Sequence, residues 1–139
     1  MADPFVVKVA IADIRDAIAR IREVLPPTVE AFERDRSARE IVVLNLFVAL
    51  QHCLSVANHW LADSGRKVPA AYRDSLLAMG ELGMLEPDLA RRLATASGLR
   101  NLIAHRYGVI DWRRIHKVAA NDLGDLDLFC TAIENAGGR

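Results

Sequence analysis

The chain has 139 residues, the size of one domain, and residues 1–139 read as a single unit. Hydrophobic residues make up 52% and charged residues 26%, which is ordinary for a folded globular protein and excludes a disordered chain. The formal net charge is zero, so no global field draws the molecule onto nucleic acid.

The pattern is helical throughout. Val6, Val9, Ile14, Ala17, Ile18, Ile21 and Leu25 recur at three- and four-residue steps. That spacing predicts an amphipathic helix that must break at Pro26-Pro27. A short piece from Thr28 to Arg34 follows. Ser37 or a neighbour then opens a long helix to about Asp63, with Gly65 as its stop. Pro69 fits the first turn of a third helix, carrying Tyr72, Leu76, Leu77 and Met79 to about Leu82. Pro87 opens a fourth, in which Leu89, Leu93 and Ala96 lead to a stop near Gly108. Asp111 caps a fifth containing Ile115, Val118, Leu126, Phe129 and Ile133, which Gly124 can interrupt. No β-alternation, internal repeat or low-complexity tract is present. The expectation is an all-α antiparallel bundle of about five helices.

The long helix is apolar on nearly every side from Ile41 to Leu50. A surface helix shows one stripe, so this one is covered either by its neighbours or by a second subunit. The apolar run is far short of the ~20 residues that cross a bilayer. No basic segment leads into an apolar one at the N-terminus, and we expect a cytoplasmic protein with no membrane partner. Cys53 and Cys130 sit in apolar helical stretches and read as small buried hydrophobes.

Asn45, His52, Ser55 and His59 form a polar stripe on the long helix. They are either satisfied core polars, or, for Asn45, Ser55 and His59, supports behind an active site. His52 and His59 are seven residues apart, about 10 Å along a helix, too far to share a metal, and no metal site is expected. Charge is uneven. From Arg91 to Lys117 seven basic residues face only Asp111, either as solvated helix faces or as one functional cluster.

The densest chemistry lies in Arg100-Asn101-Leu102-Ile103-Ala104-His105-Arg106-Tyr107. A permanent cation, an imidazole and a phenol within eight residues serve no core. Arginine offers a planar fork for phosphate, and histidine exchanges protons near neutral pH. On a straight helix Arg100 and Tyr107 share a face while His105 points about 140° away. Either the helix distorts near His105, or the site is composite. A purely structural alternative has His105 capping carbonyls and Arg100 paired with Asp111.

R-x4-H-x-Y after Gly98-Leu99 resembles the HepT-like toxins, the DUF86 family of the HEPN superfamily. Asn45-Leu46, the Gln51–His59 stretch, Gly65 before Pro69 and Tyr72, and Asp111 extend the likeness over roughly residues 35 to 130. Ser55 departs from it, standing where many relatives carry an acid. The resemblance implies a homodimeric, metal-independent endoribonuclease toxin without cofactor, its motifs lining one cleft between two chains. His105 would act as general acid or base and Arg100 would neutralise charge on the phosphate of an RNA attacked by its own 2′-hydroxyl. Asn101 would orient substrate or His105, while Arg106, Arg113 and Arg114 would hold flanking phosphates. It also implies a cognate minimal nucleotidyltransferase antitoxin that adenylylates Tyr107; otherwise the phenol simply packs at the helix end. Two rivals remain: a non-catalytic nucleotide- or partner-binding subunit of a nucleotidyltransferase, and a plain helical dimerisation protein.

Overall fold

The computed structural model describes residues 3–105 and 110–137, with 104 and 105 as backbone only. Seven helices and no strands occur among the described residues: α1 Pro4–Val24, α2 Val29–Arg34, α3 Arg36–Asp63, α4 Tyr72–Glu81, α5 Pro87–His105, α6 Trp112–Asn121 and α7 Leu123–Gly137.

The helix ends follow local chemistry. Asp3, Thr28, Asp35 and Asp111 each accept a backbone N–H in the first turn of the helix they precede. α3 and α4 both close on a left-handed glycine, Gly65 at φ 82° and Gly83 at φ 78°. In each, the glycine and the next residue donate N–H groups back to carbonyls of the final turn. The third predicted helix starts later than expected. Pro69 lies outside α4, whose first residue is Tyr72 and whose N-cap, Ala71, makes no side-chain bond. The last predicted helix is two, parted at Asp122, with Gly124 inside the first turn of α7.

α3 is the axis of the bundle and touches each of the other six helices. By length and composition it could cross a bilayer, because the apolar stretch continues past Leu50. Here its Val42, Leu46, Ala49, Cys53, Ala57 and Leu61 are buried against the surrounding helices. α1 packs along it through Val7, Ile11, Ile14, Ile18 and Ile21. Val6 and Val9, expected on that stripe, are 46% and 44% exposed, so the inward face begins one residue later. The Nε2 of His116 lies 2.9 Å from the Pro26 carbonyl, which accepts its hydrogen bond, and its ring rests 5.5 Å from Phe32. That contact pins α6 to the proline corner after α1.

α4 and α5 meet closely at Gly80. A Cβ built there would stand 2.9 Å from the Ala90 methyl carbon, so only glycine fits this spacing. Cys53 and Cys130 are free and buried. Burial, and secondarily Cys130, pushes the Cys53 thiol well up, and burial pushes Cys130 to about 11 against the opposing pull of Arg15.

Candidate functional site

The site is built around Arg100 on α5. The side chain is half-buried and held from several directions. Its Nε donates to Oε1 of Gln51 on α3 at 2.8 Å. Its Nη1 donates to Oδ1 of Asn101 at 3.1 Å. The guanidinium carbon lies 4.8 Å from the Tyr72 ring centre and 5.5 Å from that of Phe47, within range of cation–π attraction to both. Phe47 and Gln51 are one turn apart on α3, and Tyr72 opens α4. Three helices therefore fix one cation.

No carboxylate lies within 4 Å of Arg100 among the described residues, whereas Arg15, Arg22, Arg66 and Arg92 each meet one. A charge held only by neutral oxygens and ring faces is available to an incoming anion. Beside it an open groove of about 870 Å³ runs between the start of α4 and α5, bounded in part by Tyr72, Arg73, Gly98, Arg100 and Asn101.

α5 is continuous from Arg100 to His105. The side chain of His105, and all of Arg106 and Tyr107, lie outside the described residues, as does the expected stop at Gly108. Asn101 is exposed, with its carbonyl oxygen turned to Arg100. The structural alternative pairing Arg100 with Asp111 does not hold. Asp111 instead accepts the N–H groups of Arg113 and Arg114 as the cap of α6.

The basic stretch is less unbalanced in space than along the chain. Arg91 pairs with Asp88, Arg92 with Asp125, and Arg113 approaches Glu33 at 3.6 Å. Arg114 and Lys117 have no carboxylate within 4 Å among the described residues. Both line a second cleft, about 340 Å³, whose floor includes Leu46, Leu93 and Leu99. Arg113 and Arg114 thus differ: one is partly neutralised, and the other meets no carboxylate among the described residues.

The three α3 polar residues proposed to support the site do not touch Arg100. Asn45 donates its amide to the Ile41 carbonyl one turn back, at 2.8 Å. Ser55 and His59 are exposed on the outer face of α3. His52 lies 3.5 Å from Asp13. Phe47 and Gln51 do touch Arg100, and sequence reasoning singled out neither for a role at the site. An aromatic and an amide four residues apart, in the mostly aliphatic stretch from Ile41 to Gln51, were the available signal.

A protein-family profile described as Ribonuclease HepT-like matches residues 14–133. The mRNA nuclease HepT of Shewanella oneidensis is 27% identical over 124 residues, covering 89% of this chain and 92% of that protein. A putative RNase of Archaeoglobus fulgidus is 27% identical over 96 residues, covering 68% and 72%. Among solved structures, the tri-AMPylated HEPN toxin of Shewanella oneidensis, in complex with its MNT antitoxin, superposes with a TM-score of 0.85 at 27% identity, over 97% of this chain and 99% of that one. A toxin–antitoxin complex with AMP-PNP matches with a TM-score of 0.85 at 25% identity, over 94% and 98%. The helical order, the R-x4-H-x-Y sequence that begins at Arg100 on α5 and these matches agree, and the chain belongs to the HepT-like ribonuclease family.

Proposed function

We propose that this protein is a metal-independent endoribonuclease toxin of a HepT and minimal-nucleotidyltransferase pair. The observation that carries the reading is Arg100, a cation fixed by three helices with no carboxylate within 4 Å among the described residues, five residues before His105 on the same helix. An RNA phosphate supplies the missing negative charge. The substrate's 2′-oxygen forms a bond to phosphorus and the bond from phosphorus to the 5′-oxygen breaks, leaving a cyclic phosphate. His105 takes the proton of the nucleophile or gives one to the leaving oxygen. Arg100 stabilises the charge that grows on the phosphoryl oxygens. Arg114 and Lys117 hold flanking phosphates without reading sequence.

The site is composite in this reading. On a continuous helix, positions 100 and 105 are about 140° apart, so a second chain brings its His105 toward the first chain's Arg100. Leu44 on α3 is 60% exposed and Leu102 on α5 is 38% exposed. Large apolar side chains at both positions suit an interface between two copies. Tyr107 is the acceptor for adenylate from the nucleotidyltransferase, whose added phosphates would occupy the anion site.

Incubating purified protein with RNA, with and without EDTA, and mapping the product ends tests this. Cyclic phosphate ends in both conditions, lost in His105→Ala, are expected. Activity abolished by chelation and restored by one metal would refute metal independence. Intact RNA throughout would leave the binding-subunit reading.

A further inference from the structure

We infer that Gln51 is a positioning residue, a neutral acceptor that fixes the orientation of Arg100 while leaving its positive charge for a phosphate. This rests on reading Arg100 as the phosphate-binding group.

A guanidinium has five N–H donors. Gln51 takes the one on Nε, and Asn101 takes one on Nη1. Three remain, one on Nη1 and two on Nη2, all at the end of the fork. The side-on edge is closed by Gln51, so an anion meets Arg100 end-on. The faces are constrained too, with Tyr72 at 4.8 Å and Phe47 at 5.5 Å. Position and approach are thus set by groups that carry no charge.

An acid at position 51 would hold the arginine better. Charge-assisted pairs with carboxylates are the stronger contacts, and elsewhere on this surface arginines take them, as Arg15 does with Glu134 and Arg92 with Asp125. A carboxylate of glutamine's length is glutamate, so the structural alternative is one isosteric substitution away. It would also neutralise the site. Glutamine at 51 gives orientation without neutralisation, which makes it a determinant of anion affinity and not only of packing.

Two variants separate these roles. Gln51→Glu keeps shape and strengthens the bond to Nε. Its melting temperature should equal or exceed wild type, while affinity for inorganic phosphate falls about tenfold or more, since a carboxylate in contact offsets the arginine's charge. Gln51→Leu keeps the charge but frees Nε. Phosphate affinity should change little, while kcat for RNA cleavage drops about tenfold to a hundredfold, because the fork is no longer aimed.

Phosphate binding is read by NMR from the Nε–H signal of Arg100, assigned by its absence in Arg100→Lys. RNA turnover is measured separately on the same full-length protein. Gln51→Glu binding phosphate as wild type does, or Gln51→Leu cleaving RNA at the wild-type rate, would overturn the inference. Wild type that binds phosphate, loses it in Gln51→Glu and cleaves no RNA would sink the proposed nuclease activity and leave Gln51's role standing.

Discussion

Arg100→Ala should separate catalysis from stability. The substitution removes the Nε bond to Gln51, the Nη1 bond to Asn101 and two ring contacts. A hydrogen bond to a charged group contributes roughly 1.5–3 kcal/mol, and a partly exposed cation–π contact about 0.5–1 kcal/mol. The full sum does not apply here. Arg100 borders an open groove and Gln51 is only partly buried, so solvent offsets part of the lost contacts, and alanine frees the ordered arginine chain. The net loss should be about 1–2 kcal/mol, or roughly 3–8 °C of melting temperature for a domain this size. That leaves the protein folded at 25 °C, given a typical stability of about 5–15 kcal/mol. Cleavage should fall much further, about 10²–10³-fold, as when one preorganised electrostatic donor is deleted. Arg100→Lys keeps charge and ring contact but loses the fork, and its rate should lie between the two. The assay pairs thermal melts by circular dichroism with initial rates of RNA cleavage at 25 °C. Arg100→Ala cleaving within threefold of wild type, with a native spectrum, would refute the reasoning.

Other outcomes follow from the same structure. Leu44→Asp should convert a dimer into a folded monomer and remove cleavage, read by light scattering and circular dichroism; wild type already monomeric at micromolar concentration would defeat the composite site. Tyr107→Phe should retain cleavage yet escape adenylylation, checked by intact mass after co-expression with a minimal nucleotidyltransferase; equal mass additions on wild type and variant would rule out Tyr107 as sole acceptor. The Cys130 thiol, pushed up to about 11, holds its proton more tightly folded than unfolded. Its stabilisation is therefore complete below the unfolded value near 8.5–9 and is lost as pH rises toward 11. Urea midpoints between pH 8 and 10.5 should fall more steeply in wild type than in Cys130→Ala, and parallel slopes would contradict the assignment. Phe129 is fully buried, so Phe129→Ala should cost about 3–5 kcal/mol, whereas Glu134→Ala, which removes the half-exposed pair with Arg15, should cost under about 1 kcal/mol in chemical denaturation.

Much of the helical plan was legible because it is written locally. Pro26-Pro27 ends α1, Asp111 caps α6, and Gly65 terminates α3, each through chemistry confined to one turn. The misplacements also have local causes. Phe5, Val6 and Val7 are consecutive apolar residues, so periodicity alone cannot fix which faces inward at the start of α1. Ala70 and Ala71 carry no capping side chain, which left Pro69 as the apparent start of α4. Within the site, Arg100 stood out by composition. Gln51 did not, because its contact spans 49 residues and exists only once α3 packs against α5. The basic run from Arg91 to Lys117 is partly balanced in space for the same reason: the acids that meet Arg92 and Arg113, Asp125 and Glu33, come from other helices.

The close approach at Gly80 reaches further than its neighbourhood. Tyr72 lies eight residues away on the same helix, about 12 Å along its axis. α4 therefore acts as a lever whose pivot is the missing side chain against Ala90 and whose tip is the ring on Arg100. A methyl at Gly80 must push the two helices apart by several tenths of an ångström, and the tip moves with the pivot. Gly80→Ala should keep the helical spectrum yet loosen the guanidinium, detectable as a shifted Arg100 Nε–H signal. A position remote from the motif, with no chemistry of its own, would then set how well the motif works.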